Sequence, residues 1–243
     1  MTSAHKEVEA KFIVRRPAFL QILSRLQALG GFSVVSRSRE RQRNIYWDTA
    51  DLRLRRAGTA LKLRVVGRRA ELTLKRSLGY HQGVEERLEV TAPIRSANPR
   101  VLSGRQRNIA PLRLANSVVG HRPLQPLFTL WTDRRRILLA RNAQRVEIDI
   151  DRVTYRRGKT HASRLEVEIE NLNASASAFR RVLEEFRRRF KSSVRASRVS
   201  KYEFGFSLVS PNVKMSPQKR KNSAKTQSQR RKMLRFGGVS AKS

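Results

Sequence analysis

The chain has 243 residues, of which 39% are apolar, so it is long enough and apolar enough for one or two domains. It carries 54 Lys and Arg against 19 Asp and Glu, and the net charge of +35 favours polyanionic partners such as nucleic acid, polyphosphate or nucleotides. The absence of Cys excludes disulfides and thiolate metal sites. With neither an apolar N-terminal signal segment nor a run of ~20 apolar residues, we expect a soluble cytoplasmic protein without membrane contacts.

The N-terminal stretch EVEAK alternates charged and apolar residues. Glu7, Glu9 and Lys11 are two residues apart, so on a β-strand they share one face, and the apolar residues between them share the other. Taken alone, this pattern is explained by an edge strand with one solvated face. It becomes informative only together with the other strands.

Two segments have the apolar spacing of amphipathic helices, PAFLQILSRLQALGG at residues 17–31 and NASASAFRRVLEEFRRRF at residues 173–190. Gly30 and Gly31 are suited to end the first helix, and Asn173 or Ser175 to cap the second. Residues 93–126, which lie between these two segments in the sequence, have no regular pattern, and one short helix is expected there around PLRLANSVVG. The apolar stripes consist of Phe19, Ile22, Leu23, Leu26 and Leu29, and of Phe179, Val182, Leu183, Phe186 and Phe190.

Most of the remaining segments alternate with a period of two, which predicts strands. Their polar faces are segregated by charge: some strands carry cations, and two carry three carboxylates each. The cationic or mixed faces hold Lys62 and Arg64 in LKLRVV, Lys75 in ELTLKR, Arg87 in ERLEV and Lys201 in KYEFGF, which is also predicted to be a strand. The acidic faces hold Glu147, Asp149 and Asp151 in VEIDID, and Glu166, Glu168 and Glu170 in RLEVEIE.

Neighbouring carboxylates repel one another unless a cation lies among them, and Mg²⁺ and Mn²⁺ prefer oxygen ligands of this kind. Converging Lys and Arg side chains match the phosphate group. A closed antiparallel barrel that turns its charged faces inward accommodates both the acidic faces and the cationic faces. We therefore expect an α+β fold, mostly antiparallel β, with an eight-stranded tunnel-like barrel, a charged lumen and flanking helices.

The motifs of these strands, in this order, resemble those of the CYTH superfamily, also called triphosphate tunnel metalloenzymes. The similarity covers residues 3–209 and begins with the ExExK motif at Glu7, Glu9 and Lys11. It continues through YWDTADLRLRRAGTALKLR at 46–64, LTLKR at 72–76, EERLEV, FTLWTDRRRILL, VEIDID, RLEVEIE and SKYEFGFSLV, the last of which resembles a closing strand. We expect one domain over residues 1–210.

The resemblance implies a tunnel that binds a triphosphate and one or two divalent metal ions, Mg²⁺ or Mn²⁺. Members of the family hydrolyse inorganic triphosphate, thiamine triphosphate or RNA 5′-triphosphates, or cyclise ATP. The expected activity is metal-dependent hydrolysis of inorganic triphosphate, with nucleotide or RNA 5′-triphosphatase, adenylyl cyclase or non-catalytic binding of polyphosphate or nucleic acid as alternatives.

The implied site contains substrate-binding cations, metal-binding carboxylates and a carboxylate that orients the attacking water, either Glu9 or Glu168. Among Arg134, Arg135 and Arg136, the first and the last share a face. The expected substrate-binding residues are Lys11, Lys62, Arg64, Lys75, Arg87, one of Arg134 and Arg136, and Lys201. The expected metal ligands are Glu7, Glu9, Asp149, Glu166, Glu168 and Glu170.

The segment 211–243 contains no acidic residue and is rich in Lys, Arg, Ser, Gln and Asn. Such a segment cannot bury a core, which predicts a disordered basic tail. Two roles are open for it: non-specific binding of nucleic acid or polyphosphate, or a solubilising extension. Trp47 and Trp131, in the preceding domain, are expected to be packing residues.

Overall fold

The computed structural model describes residues 2–95, 102, 108–120 and 122–209. The predicted basic tail lies outside these residues. The described part contains strands β1 (Ser3–Val14), β2 (Ala28–Leu29), β3 (Phe32–Asp48), β4 (Thr59–Val66), β5 (Arg69–His81), β6 (Val84–Ile94), β7 (Gln125–Arg141), β8 (Gln144–Arg157), β9 (Thr160–Asn171) and β10 (Val194–Ala196). Its helices are α1 (Phe19–Ser24), α2 (Arg53–Arg56), α3 (Ala110–Val119), α4 (Ala176–Phe190) and α5 (Lys201–Val209).

Eight antiparallel strands close into a barrel in the order β1-β6-β5-β4-β3-β7-β8-β9, and β9 pairs back onto β1. The closing ladder joins Glu9–Ile13 to Glu166–Glu170. Strands β2 and β10 extend the sheet by pairing with β3 and β1. The predicted fold class, an eight-stranded tunnel-like barrel with flanking helices, is confirmed. In this order β4 lies opposite β9.

The outer surface of the barrel carries two apolar cores. Helices α1 and α4 cover the outward residues of β1, β7, β8 and β9, and the predicted stripe of α4, including Phe179 and Phe186, is buried there. Helices α2 and α3 cover the outward residues of β3, β4 and β5 in the second core. No helix in the described residues has the length and apolar character that a membrane crossing requires.

The first predicted helix is shorter than its apolar spacing indicated. It ends at Ser24, and Leu29 belongs to strand β2, although this side chain still enters the same core. The backbone of Gly30 has φ +59°, and a Cβ atom there would lie 2.6 Å from Cα of Val182. Gly30 therefore forms a tight turn against α4, and this turn ends strand β2.

The second predicted helix and the short helix in the irregular region are confirmed as α4 and α3. Ser175 caps α4, because its hydroxyl accepts a hydrogen bond from the backbone N–H of Ala178. Asn173, the alternative cap, instead accepts from the backbone N–H of Arg145. The rest of the predicted irregular region lies partly outside the described residues.

The predicted strand KYEFGF is wrong, because Lys201–Val209 forms helix α5. Ser200 caps it reciprocally with Glu203: the Ser200 hydroxyl accepts from the backbone N–H of Glu203, and the Glu203 carboxylate accepts from the N–H of Ser200. This is the S-x-x-E capping box of a helix N-terminus.

Helix α5 packs against one end of the barrel, where the inward-facing side chains are apolar. Tyr46, Phe128 and Tyr155 form an inner core there together with Phe206 of α5. The rings of Tyr46 and Phe128 are stacked with centroids 5.0 Å apart. The charged part of the lumen therefore has an apolar layer at this end.

Candidate active site

The interior of the barrel is charged because its strands turn alternate residues inward. On β1, Glu7, Glu9 and Lys11 are buried in the lumen, with 6%, 3% and 5% of their surface exposed. Ala10 and Phe12 point the other way into the outer core. Because both faces of β1 are buried, the alternative of a solvated edge strand is wrong.

Lys75 on β5 joins two carboxylates within the lumen. Its Nζ lies 2.7 Å from Oε1 of Glu7 and 2.6 Å from Oε2 of Glu89. Burial opposes ionisation of all three groups, but the Lys75 ammonium holds the pKa of Glu7 and of Glu89 below their usual values. The same attraction overcomes burial and raises the pKa of Lys75. All three groups are therefore charged at neutral pH.

Lys11 and Arg87 share two further carboxylates. Nζ of Lys11 lies 2.7 Å from Oε1 of Glu9 and 2.8 Å from Oε2 of Glu85. Arg87 donates to Glu9 at 3.0 Å and to Glu85 at 2.8 Å. Arg87 also lies 4.0 Å from Oε2 of Glu7, which joins these groups to Lys75, so the predicted residues Glu7, Glu9, Lys11, Lys75 and Arg87 form one network.

A second network connects β7, β8, β9 and α5. Arg134 donates to Asp151 at 2.7 Å and 2.8 Å and to Glu168 at 3.0 Å, and it also forms an ion pair with Asp149. Nζ of Lys201 lies 2.8 Å from Oδ2 of Asp151 and 2.6 Å from Oε1 of Glu168. Lys201 therefore reaches the predicted site, although it does so from the start of a helix.

Both predicted arginines of β7 point inward. Arg134 is buried, whereas Arg136 is partly exposed and pairs with Glu147 at 2.9 Å. Arg135 lies between them on the exposed outer face. The guanidinium groups of Arg134 and Arg136 therefore both enter the lumen.

Three neighbouring carboxyl groups of β8 and β9 are incompletely neutralised. Burial raises the pKa of Glu170 to about 8, and the nearby Glu7 and Glu9 add to the effect. Burial also raises the pKa of Asp149 to about 7 against the attraction of Arg134, and the neighbouring carboxylates, Asp151 first among them, add to the effect. Burial likewise raises the pKa of Glu147. No Lys or Arg of the described residues forms an ion pair with Glu170.

Strand β4 shows the opposite imbalance. Lys62 is buried, with 4% of its surface exposed, and forms no ion pair with an acidic residue of the described ranges. Burial, Arg64 and Lys75 together hold the pKa of Lys62 well below its usual value. Arg64 donates to Asn44 at 3.2 Å and lies 3.4 Å from Glu71. This wall can attract an anion.

The donor set fits a hard divalent cation, since the lumen offers carboxylate oxygens and the carboxyl groups of Asp149 and Glu170 lack full compensation. Within the described ranges, however, no three carboxylates are arranged to hold a metal ion together. Most of them are engaged with Lys and Arg. Metal binding would therefore compete with these ion pairs.

Four charged residues of the two networks are not among the expected site residues, although the sequence places one of them, Asp151, on an acidic strand face. Each lies two residues from an expected site residue on the same strand, so the alternation itself could have identified it. The four are Glu85, Glu89, Asp151 and Arg164, the last of which forms an ion pair with Glu166 at 2.8 Å.

Comparison with known proteins supports the family that the sequence motifs resemble. The CYTH domain matches residues 5–200. The fold is similar to a putative adenylyl cyclase from Hippeastrum, HpAC1, described as having a dominant triphosphatase activity, with 22% identity, TM-score 0.61, and 83% of this chain and 95% of that chain covered. It is also similar to a putative adenylate cyclase from Bacillus halodurans, with 21% identity, TM-score 0.57 and 84% and 99% coverage. The match to the CYTH domain over most of the sequence, on a barrel with a charged lumen, shows that this chain belongs to the CYTH family.

Proposed function

We propose that this protein is a divalent-metal-dependent triphosphatase that hydrolyses inorganic triphosphate inside the barrel. The observation that carries the proposal is a pair of ionisable side chains on opposite strands of the lumen that lack ion-pair partners in the described residues, Lys62 on β4 and Glu170 on β9. The pKa of Lys62 is held well below its usual value and that of Glu170 is raised to about 8, because neither group has a counter-charge that fully favours its ionised form. A bound metal–triphosphate complex would supply both counter-charges, phosphate for Lys62 and metal for Glu170.

The cations of the lumen are suited to hold the phosphate chain. Lys62 and Arg64 form one wall, in which Lys62 lacks an ion-pair partner in the described residues and Arg64 lies 3.4 Å from Glu71. We propose that Lys11, Lys75 and Arg87 extend this wall. The remaining proposed phosphate ligands are Arg134, Arg136 and Lys201. Each charge-assisted hydrogen bond contributes roughly 1.5–3 kcal/mol net.

The proposed metal ligands are the carboxylates on the other side of the lumen. Bound Mg²⁺ or Mn²⁺ would stabilise charge on the phosphate oxygens and lower the pKa of a bound water molecule. We propose that Glu9 or Glu168 orients the attacking water, since both carboxylates lie in the lumen and their cationic partners keep them in place. The proposed ligand set is Glu7, Glu9, Asp149, Glu166, Glu168 and Glu170.

The activity ascribed to the Hippeastrum protein favours hydrolysis over cyclisation, although the same protein is described as a putative adenylyl cyclase. The decisive experiment incubates the full-length protein with inorganic triphosphate, ATP and thiamine triphosphate, each with Mg²⁺, with Mn²⁺ or with EDTA. Released phosphate and cyclic AMP are measured. We expect phosphate from inorganic triphosphate, and none in EDTA.

A matched pair of variants locates the chemistry. Glu168→Gln removes a charge from the lumen and should abolish turnover while the melting temperature shows a folded protein. Glu86→Gln removes a charge from an exposed ion pair with Lys6 on the outer face and should leave turnover unchanged. Full turnover in EDTA, or an active Glu168→Gln protein, would show that the site or the metal dependence is wrong.

A further inference from the structure

Within the described residues, the outer surface of the barrel is exposed where β3, β7 and β8 lie side by side between the two apolar cores. The residues exposed there include Arg39, Arg41 and Arg43 on β3, Arg135 on β7 and Arg152 on β8. We call these five arginines, together with Trp131 on β7, the arginine wall. Its side chains point away from the tunnel, so the proposed triphosphatase chemistry makes no use of them.

The arginine wall is not balanced by acidic residues. Asp133 pairs with Arg39, whose guanidinium donates to it at 2.8 Å and 2.6 Å. The guanidinium groups of Arg39, Arg41 and Arg135 hold the pKa of Asp133 below its usual value. In the described part of the chain, the other four arginines of the wall form no ion pair with an acidic side chain. Arg39 and Arg135 are also direct cross-strand partners, and like charges in that position destabilise a sheet.

Trp131 distinguishes this surface from an ordinary basic patch. The residue is 41% exposed, which contradicts its prediction as a packing residue, whereas Trp47 is 5% exposed and its prediction is confirmed. In the sheet, Trp131 stands between Arg43 on β3 and Thr154 on β8. An exposed indole beside unpaired guanidinium groups offers a stacking surface next to phosphate-binding groups.

A groove of about 230 Å³ lies on the same surface. Its lining consists of the polar side chains of Arg39, Asp133, Arg135 and Arg152 and the apolar side chains of Leu20, Ile150 and Leu165. The groove therefore combines cations with apolar surface. A polyanion with flat apolar groups, rather than a bare chain of phosphates, matches both features.

We propose that the arginine wall binds single-stranded nucleic acid, with phosphates on the arginines and a base stacked on Trp131. Single strands expose their bases for stacking on aromatic side chains, whereas the bases of a duplex are already stacked on one another. Polyphosphate and anionic membranes supply negative charge but no ring to stack on the indole. The exposed tryptophan therefore selects the single strand among the polyanions that a basic protein attracts.

The test measures binding of the full-length protein to fluorescently labelled DNA and RNA single strands of about 15 nucleotides, over a range of salt concentrations. Trp131→Ala should weaken binding about tenfold, and Trp131→Phe should retain most of the affinity because a phenyl ring also stacks. Intrinsic fluorescence should be quenched by the unlabelled strand in the wild type and not in Trp131→Phe. Equal affinities for DNA and RNA would show that the arginine wall binds both kinds of single strand, and unequal affinities would identify the kind that it prefers.

A charge-matched pair of variants separates a binding site from the general field of the protein. Arg41→Gln with Arg43→Gln should weaken single-strand binding and reduce the slope of log K against log salt by about 0.7 for each phosphate that the variant no longer neutralises. Arg180→Gln with Arg181→Gln, on the exposed face of α4, removes the same charge elsewhere and should have a smaller effect. Unchanged melting temperature and triphosphate turnover would show that each variant is folded.

The proposal is overturned if Trp131→Ala binds single strands as tightly as the wild type, or if the α4 pair weakens binding as much as the wall pair. It is also overturned if duplex DNA, long-chain polyphosphate or anionic vesicles lose as much affinity in Trp131→Ala as the single strands do.

Discussion

Nζ of Lys201 lies 2.8 Å from Oδ2 of Asp151, a carboxylate with no exposed surface. Lys201 is the first residue of α5, and the aromatic side chains of the same helix pack on the apolar end of the lumen. One short helix therefore supplies both a layer at the end of the barrel and a cation to the second charge network. Displacing α5 should affect stability and the candidate active site together.

Gly205→Ala tests this coupling. A Cβ atom at Gly205 would lie 2.6 Å from Cζ of Phe128, so α5 would have to move away from β7. We expect a loss of about 1–3 kcal/mol in the free energy of unfolding, as for other overpacked sites, even though Ala favours a helix. Triphosphate turnover should fall as well, because Lys201 moves with the helix. Urea unfolding and a phosphate assay measure the two effects.

Gly79→Ala is the control for the glycine substitution. At Gly79 the nearest atom to an added Cβ, Nε2 of His81, is 3.6 Å away, an ordinary contact. This variant should change stability and turnover little. If Gly205→Ala is as stable and active as Gly79→Ala, α5 is not held against Phe128 in the way the structure shows.

The barrel could be predicted because alternation with period two persists through many strands, and because the two faces differ so strongly in charge. The helix α5 could not be predicted from that signal. KYEFGF alternates like a strand, but the capping pair Ser200 and Glu203 and the packing of Phe206 decide in favour of a helix. In a segment of this length, local capping and tertiary contacts outweigh periodicity.

The candidate site could be predicted as a set of charges but not as a pattern of pairs. Sequence spacing shows that Glu168 and Glu170 share a face. It does not show that Glu168 meets Lys201 and Arg134 while Glu170 has no such partner in the described residues. This difference depends on which strands are adjacent and where α5 ends the barrel, so it appears only in three dimensions.

Lys62→Met tests the wall of the lumen that Lys62 and Arg64 form. The substitution replaces a buried amine that has no ion-pair partner in the described residues by an apolar side chain of similar length, so the melting temperature of the ligand-free protein should stay constant or rise. The affinity for inorganic triphosphate should fall about 10- to 100-fold, the equivalent of one charge-assisted hydrogen bond. Isothermal titration calorimetry with triphosphate and a thermal melt measure the two quantities.

Arg64→Ala should likewise weaken triphosphate binding far more than it lowers the melting temperature. Arg68→Ala, at an exposed position just after β4, is the matched control and should alter neither. A Lys62→Met protein that is destabilised but binds triphosphate normally would assign Lys62 a structural role.

Asp151→Asn tests the second network. It leaves Arg134 and Lys201 without one of their shared partners in a buried setting, so we expect a loss of about 3–5 kcal/mol in the free energy of unfolding. Asp133→Asn breaks a partly exposed pair with Arg39 and should cost about 0–1 kcal/mol. Urea unfolding of both variants compares them directly, and equal losses would show that burial of the network has little energetic consequence.

Two carboxyl groups with raised pKa values make the stability of the protein depend on pH and on metal. Burial raises the pKa of Glu170 to about 8 and that of Asp149 to about 7. Because these values exceed those of the unfolded chain, the folded protein binds these protons more tightly, and the resulting stabilisation is lost as the pH rises through about 7–8. Lys62, whose pKa is held well below its usual value, acts in the opposite direction, because folding releases its proton. In the Lys62→Met background and in EDTA, the melting temperature should therefore fall between about pH 6 and about pH 8.5. The carboxylates with lowered pKa, such as Glu7, change protonation only in more acidic solution.

Mg²⁺ or Mn²⁺ should reverse this loss, since a metal ion binds ionised carboxylates and competes with protons. The rise in melting temperature on adding metal should be larger at about pH 8.5 than at about pH 6. In the same background, Glu170→Gln removes one of the two titrating groups, so it should flatten the upper part of the pH dependence in EDTA, whereas Glu86→Gln, on the outer face, should not. A Lys62→Met melting temperature that stays level or rises over this range would contradict the assignment. So would a Glu170→Gln variant whose pH dependence matches that of Lys62→Met alone.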